Sequence, residues 1–126
     1  MFNWKGRVKC DGPAVLDEAY LERLAGHLGE DTLRELMCDG LLELVDRVNS
    51  INALLEAGDS ETLGKIVHDV AGMAGHLGLS RLSSAAVHSE RALRDPSVSG
   101  AVATETVRAE APDAIVALRD FLDGAA

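Results

Sequence analysis

The chain has histidines at positions 27, 68, 76 and 88, and only His68 has neighbours that suggest chemistry. Gly64 and Gly72 lie four residues to either side of it, and Gly75 lies seven beyond. On a helix, at about 100° per residue, all three glycines fall within roughly 40° of the histidine's direction. On the same wheel Ile66, Leu77 and Val70 fall near 160°, 180° and 200°, so the apolar stripe lies on the opposite side. His68 is therefore expected to face solvent, standing on a flat track of nearly bare backbone that a large partner could approach. Glycine inside a helix costs about 0.5–1 kcal/mol relative to alanine, and three on one outward face bring no evident packing gain. A second helix lying over that face would supply one, and His68 would then be an ordinary surface side chain. Left open, the imidazole is a nucleophile through one ring nitrogen if the other is held by a hydrogen bond.

The remaining histidines fit less well. His76 lies two turns beyond His68 and about 80° round, too far for an i, i+4 metal pair. His27 sits near a helix end, where a cation is mildly favoured. His88 falls near the level of His68, as a contributor to its site or as plain surface. Compact carboxylate or cysteine ligands are missing beside them, so no metal and no cofactor is expected.

An all-α fold must position these residues. Pro13 suits the first residue of an opening helix, in which Leu16, Tyr20, Leu24 and Leu28 recur every four residues up to Gly29. Asp31 or Thr32 is expected to cap the second helix, with Thr32 and Glu35 at capping-box spacing. Met37, Leu41, Leu44, Val48, Ile51 and Leu55 then form a heptad-like seam over about seven turns, ending at Gly58. Asp59 or Ser60 opens the third helix, whose buried stripe reads Leu63, Ile66, Val70, Met73 and Leu77, and Gly78 ends it. Ser80 is expected to cap a fourth helix through Leu82, Ala85, Ala86, Ser89 and Leu93, stopped by Asp95-Pro96. The last helical stretch, from about Ser97 to Leu122, is expected to kink or break near Pro112. Short connections between long amphipathic helices predict an antiparallel up-and-down four-helix bundle with a short additional N-terminal helix. Residues 1–12 read as a lead-in, with Phe2 and Trp4 of no assigned role, and 13–126 as one domain.

The run His68-Asp69-Val70-Ala71-Gly72-Met73-Ala74-Gly75-His76-Leu77-Gly78 resembles the signature of histidine phosphotransfer (Hpt) domains. That signature has an aliphatic residue two after the histidine, usually a lysine three after, a glycine four after and a closing Leu-Gly. The likeness extends to the helix opening Gly29-Glu30-Asp31-Thr32-Leu33 and to the turn Ala57-Gly58-Asp59. It implies that His68 accepts a phosphoryl group and that Gly64, Ala71, Gly72 and Gly75 lie where a partner docks. The chain departs from the family at Ala71, which stands where the lysine that helps hold the phosphoryl group is usual. Lys65, at about 60° on the same face, is the candidate substitute. If the chain reverses at Gly78 and Leu79, residue n faces roughly residue 157 minus n, which places Ser89 and Glu90 opposite His68. Glu90 then either holds the imidazole Nδ1–H, leaving Nε2 as nucleophile, or pairs with Arg91 or Arg94 in solvent.

The resemblance implies a phosphoprotein of two-component signal transduction. It would take a phosphoryl group from a receiver-domain aspartate and return it to another receiver, with Mg²⁺ on the receiver and a hybrid histidine kinase as a further partner. The chain has no glycine-rich nucleotide loop, so it is expected to be a phosphocarrier and not an enzyme. Net charge −9, from 21 acidic and 12 basic side chains, argues against a nucleic-acid partner. Hydrophobic residues are 47% of the chain but aromatics only 3%, a composition for aliphatic helix packing. Cys10 and Cys38 fit a reducing compartment, each as a small buried or partly buried side chain. No run approaches the roughly 18 apolar residues of a membrane span, so a cytoplasmic monomer is expected. Two other readings stay open: an Hpt-like docking module that carries no phosphate, for which Ala71 speaks, and a helical homodimer built on the seam from Met37 to Leu55.

Overall fold

The structure is a computed structural model that describes residues 14–124, and among these every regular element is a helix. In chain order they are α1 (Glu18–Leu28), α2 (Glu30–Ala57), α3 (Ser60–His76), α4 (Ser80–Leu93), the one-turn α5 (Gly100–Ala103) and α6 (Glu105–Gly124). The four longest helices contact one another in a closed ring: α2 with α3, α3 with α4, α4 with α6, and α6 with α2. α1 lies on α2, and α5 is wedged between α4 and α6.

The core inside the ring is aliphatic. Leu44 and Ile51 of α2 meet Leu63, Val67 and Val70 of α3, Leu82 and Ala86 of α4, and Val107 and Leu118 of α6. Each larger aliphatic contributes about 1.5–3 kcal/mol by leaving water. Tyr20 and Phe121 only flank this cluster, half-buried, as the low aromatic content requires. Of the α2 seam, Met37, Leu44 and Ile51 are buried, while Leu41, Val48 and Leu55 are half-buried against the core.

Local signals were overridden by tertiary contacts in several places. α1 begins at Glu18, where Asp17 Oδ1 accepts the Tyr20 amide at 3.1 Å and caps the helix. Residues ahead of that cap are tied to the turn between α3 and α4. The Asp17 amide donates to Gly78 O at 2.7 Å, and the Arg81 amide donates to Ala14 O at 3.1 Å. The buried residue of α1 is Leu21, whereas Leu28 of the expected row is exposed. α2 has no side-chain cap at Asp31 or Thr32. It follows α1 after Gly29 alone, whose φ of 87° reverses the chain. Ser80 is the first residue of α4 and not its cap; Leu79, fully buried, holds that corner by donating its amide to Ala74 O at 2.8 Å. Cys38 is exposed, not buried. The readings of residues 1–12, Cys10 and Pro13 fall outside the described residues.

Of the kink or break expected near Pro112, the break is corrected. α6 continues through Pro112, and the interruption lies at Thr104. There the Thr104 hydroxyl donates to Gly100 O at 2.8 Å and accepts from Arg108 Nε at 3.0 Å, which closes one helix and starts the next. Pro112 itself is exposed.

Candidate functional site

α3 is anchored at its start by Asp59, whose Oδ1 accepts the Thr62 amide at 3.1 Å. Its buried residues are Leu63, Val67, Val70 and Ala74, followed by Leu77. The expected stripe contained Ile66 and Met73, which are only half-buried. The true stripe is therefore turned by roughly 40°. His68 stays outside it, with its side chain 71% exposed.

Across the hairpin, Glu90 of α4 faces His68, and its Oε2 lies 3.0 Å from His68 Nδ1. An ionised carboxylate can only accept, so the tautomer that satisfies this contact in a neutral ring is the one with its hydrogen on Nδ1 and its lone pair on Nε2. The register recurs one turn on, where Ser83 Oγ donates to Ala71 O at 2.9 Å. These cross-contacts run α3 and α4 in opposite directions. Arg94 Nη2 lies 3.8 Å from the same Glu90 oxygen that meets His68. Glu90 Oε2 thus has both His68 and Arg94 beside it, with Arg94 at the longer distance.

A surface hollow beside the imidazole is lined by Ser60, Glu61, Gly64, Lys65, His68, Asp69, Glu90, Leu93 and Arg94. Lys65 is exposed there, its Nζ 3.8 Å from Glu61 Oε1. Asp69, in the same lining, has its Oδ2 3.9 Å from Arg47 Nε of α2. Gly64 and Gly72 have open space above them: a Cβ on either would meet no atom within 4 Å. Gly75 differs, since its Cβ would touch Ser83 Oγ at 3.5 Å. Ala71 is half-buried against the core cluster.

The structure thus gathers His68, Lys65, Gly64 and Glu90 around one hollow. His27, His76 and His88 are exposed and line no part of it; the His76 carbonyl accepts from the Tyr20 hydroxyl at 3.0 Å. Sequence reasoning passed over Ser83, the Arg47–Asp69 pair, and Arg94 as a member of the hollow. The Glu90/Arg94 spacing of four residues was the available signal for the last. Among the described residues no group of three or more His, Cys, Asp or Glu could hold a metal ion. No helix among them is long and apolar enough to cross a membrane.

The family model of the Hpt domain matches residues 32–125, which contain His68 and every residue that lines the hollow. No curated protein and no solved structure matches the chain.

Proposed function

The chain belongs to the Hpt domain family, and from that premise we propose that His68 is the phosphoacceptor of a two-component phosphorelay. The observation that carries this reading is the exposed imidazole whose Nδ1 is held by Glu90 at 3.0 Å. The Nε2 lone pair attacks the phosphorus of a receiver's aspartyl phosphate in line. The N–P bond forms as the P–O bond to the aspartate breaks, and that bonding pair leaves with the carboxylate. The ring keeps its Nδ1 hydrogen and becomes positive, and Glu90 stabilises that charge in place. Reversal of the same step returns the phosphoryl group to another receiver. Mg²⁺ and the acceptor aspartate are the receiver's contribution; positioning and charge are this chain's.

The receiver docks over Gly64, Ala71, Gly72 and Gly75, where the missing side chains let its active site come close to the ring. Lys65 reaches the phosphoryl group from the same face. The ring of α2, α3, α4 and α6 serves as an antiparallel up-and-down bundle, with α1 as the added helix. Residues 13–126 act as one domain behind a lead-in of 1–12. The module works as a monomeric cytoplasmic phosphocarrier, with receivers and a hybrid kinase as its partners.

The test is incubation with a receiver carrying labelled aspartyl phosphate. Label should pass to the wild-type chain and fall to background in His68→Gln. Binding without transfer would instead favour a docking module, the reading that Ala71 supports.

A further inference from the structure

We propose that the groove between the start of α1, the start of α4 and the last turns of α6 is the docking site of the chain's own residues 2–10. Trp4 lies against its apolar wall, and Lys5, Arg7 and Lys9 lie toward its acidic rim. The occupant is thus a segment of the same molecule, and the inference is independent of the phosphocarrier reading.

The groove is open, with a volume of about 480 Å³. Its apolar wall is made by Val15 and Leu16 ahead of α1 and by Ala117 and Phe121 of α6, all half-buried. Apolar surface left partly in water gains by being covered. Two exposed carboxylates, Glu18 of α1 and Asp120 of α6, stand in the same lining, together with the basic Arg81 of α4. None of these residues lines the hollow at His68.

The segment ahead of the groove matches it in pattern and charge. Phe2, Trp4, Val8 and Cys10 take even positions, and Lys5, Arg7 and Lys9 take odd ones. In an extended backbone successive side chains point to opposite faces, so this stretch can present one apolar edge and one cationic edge. Residues 2–10 hold three basic side chains and no acidic one, in a protein of net charge −9. The described elements are all helices, so an apolar edge finds cover in a groove between helices and not in a sheet. The described chain begins at Ala14, which itself lines the groove and whose carbonyl accepts the Arg81 amide at 3.1 Å. Trp4 lies ten residues before it, and ten extended residues cover at most about 33–36 Å, so the indole reaches the wall with chain to spare. A tether this short keeps the segment concentrated over the groove. Arg81 suits the face of an aromatic ring and repels a lysine. That turns the aromatic edge inward and the basic edge toward Glu18 and Asp120.

Trp4 is the sole tryptophan, so its fluorescence reports the docking. In the intact wild-type chain its emission maximum should lie at shorter wavelength than in the urea-unfolded chain, and acrylamide should quench it less. Both differences should persist on dilution, because segment and groove belong to one molecule. Ala117→Arg, which fills the wall and repels the basic edge, should move the emission to the unfolded position while circular dichroism stays helical. Glu18→Lys combined with Asp120→Lys, two exposed changes that leave the core untouched, should raise the quenching, and so should added salt in wild type. Wild-type emission at the unfolded position would overturn the proposal. So would a shorter-wavelength emission that both variants leave in place, which would put Trp4 elsewhere. Emission lost on dilution in step with dissociation of a dimer would make a second copy the occupant and overturn it too.

Discussion

Glycines do opposite things at two places on α3. At its C-terminal end they serve internal packing. A Cβ on Gly78 would lie 3.2 Å from Tyr20 Cδ2 and 3.3 Å from Leu21 Cγ, so α1 sits directly on that turn. Gly40 of α2 receives Leu77 in the same region, where a Cβ would come within 2.6 Å of Leu77 Cδ2. On the outward face, Gly64 and Gly72 meet nothing at all. Small residues in a helical protein thus carry no single meaning; what stands above them decides. Gly26 is open too, so an open glycine alone marks no site. The pair at 64 and 72 is set apart by flanking an exposed imidazole one turn on either side.

The largest test of this contrast is Gly78→Ala. The residue has φ of 76°, a region an L side chain occupies at a cost of roughly 1–2 kcal/mol. Contact with Tyr20 and Leu21 adds to it, so urea denaturation should show a loss of about 2 kcal/mol. Retention of wild-type stability would mean that α1 is not seated on this turn as described.

Gly72→Ala should go the other way. With helical backbone and open space around it, alanine should raise stability by roughly 0.5–1 kcal/mol. A bulkier Gly72→Gln should keep the fold and slow transfer from a phosphorylated receiver by tenfold or more, because the cost then falls on the approaching partner. Loss of stability in Gly72→Ala would place Gly72 with Gly78 and erase the distinction between the two regions.

The parts legible in the sequence were those set by local pattern. The seam of α2 follows from the spacing of Met37, Leu44 and Ile51, and the turn at Gly78 follows from the Leu-Gly after an apolar run. That turn puts α3 and α4 in a register that brings Glu90 opposite His68. The misreadings share one physical origin, which is that a neighbouring segment decided the outcome. Periodicity located an apolar stripe on α3 but could not say that packing would bury Val67 and Ala74 more fully than Ile66 and Met73. Pro112 reads as a breaker from its own backbone, whereas the Thr104 hydroxyl bridges Gly100 and Arg108 and the break lies there. Arg94 was visible only as a partner of Glu90, since its place in the hollow depends on how the end of α4 meets the start of α3.

The two ends of α3 should also differ in their response to acid, the smallest of these effects. The C-terminal end is held by packing around Gly78 and carries no carboxylate cap. The N-terminal end is capped by Asp59, whose carboxyl is held below its ordinary value of 3.8 by the Thr62 hydroxyl, then the Thr62 amide, with Lys65 adding a smaller charge effect. A carboxyl depressed in the folded state binds protons more readily when unfolded, so unfolding is opposed wherever the group is ionised. That contribution is complete above the unfolded value and is lost as pH falls through the folded one. Asn at position 59 keeps a capping oxygen but no charge. The melting temperature of wild type should therefore exceed that of Asp59→Asn by a constant small margin from about pH 7 to pH 5. The margin should shrink once pH drops below about 3.8. A margin that stays level or widens in acid would show that the cap at Asp59 does not depend on its charge, and the two ends of α3 would then be held by the same kind of force.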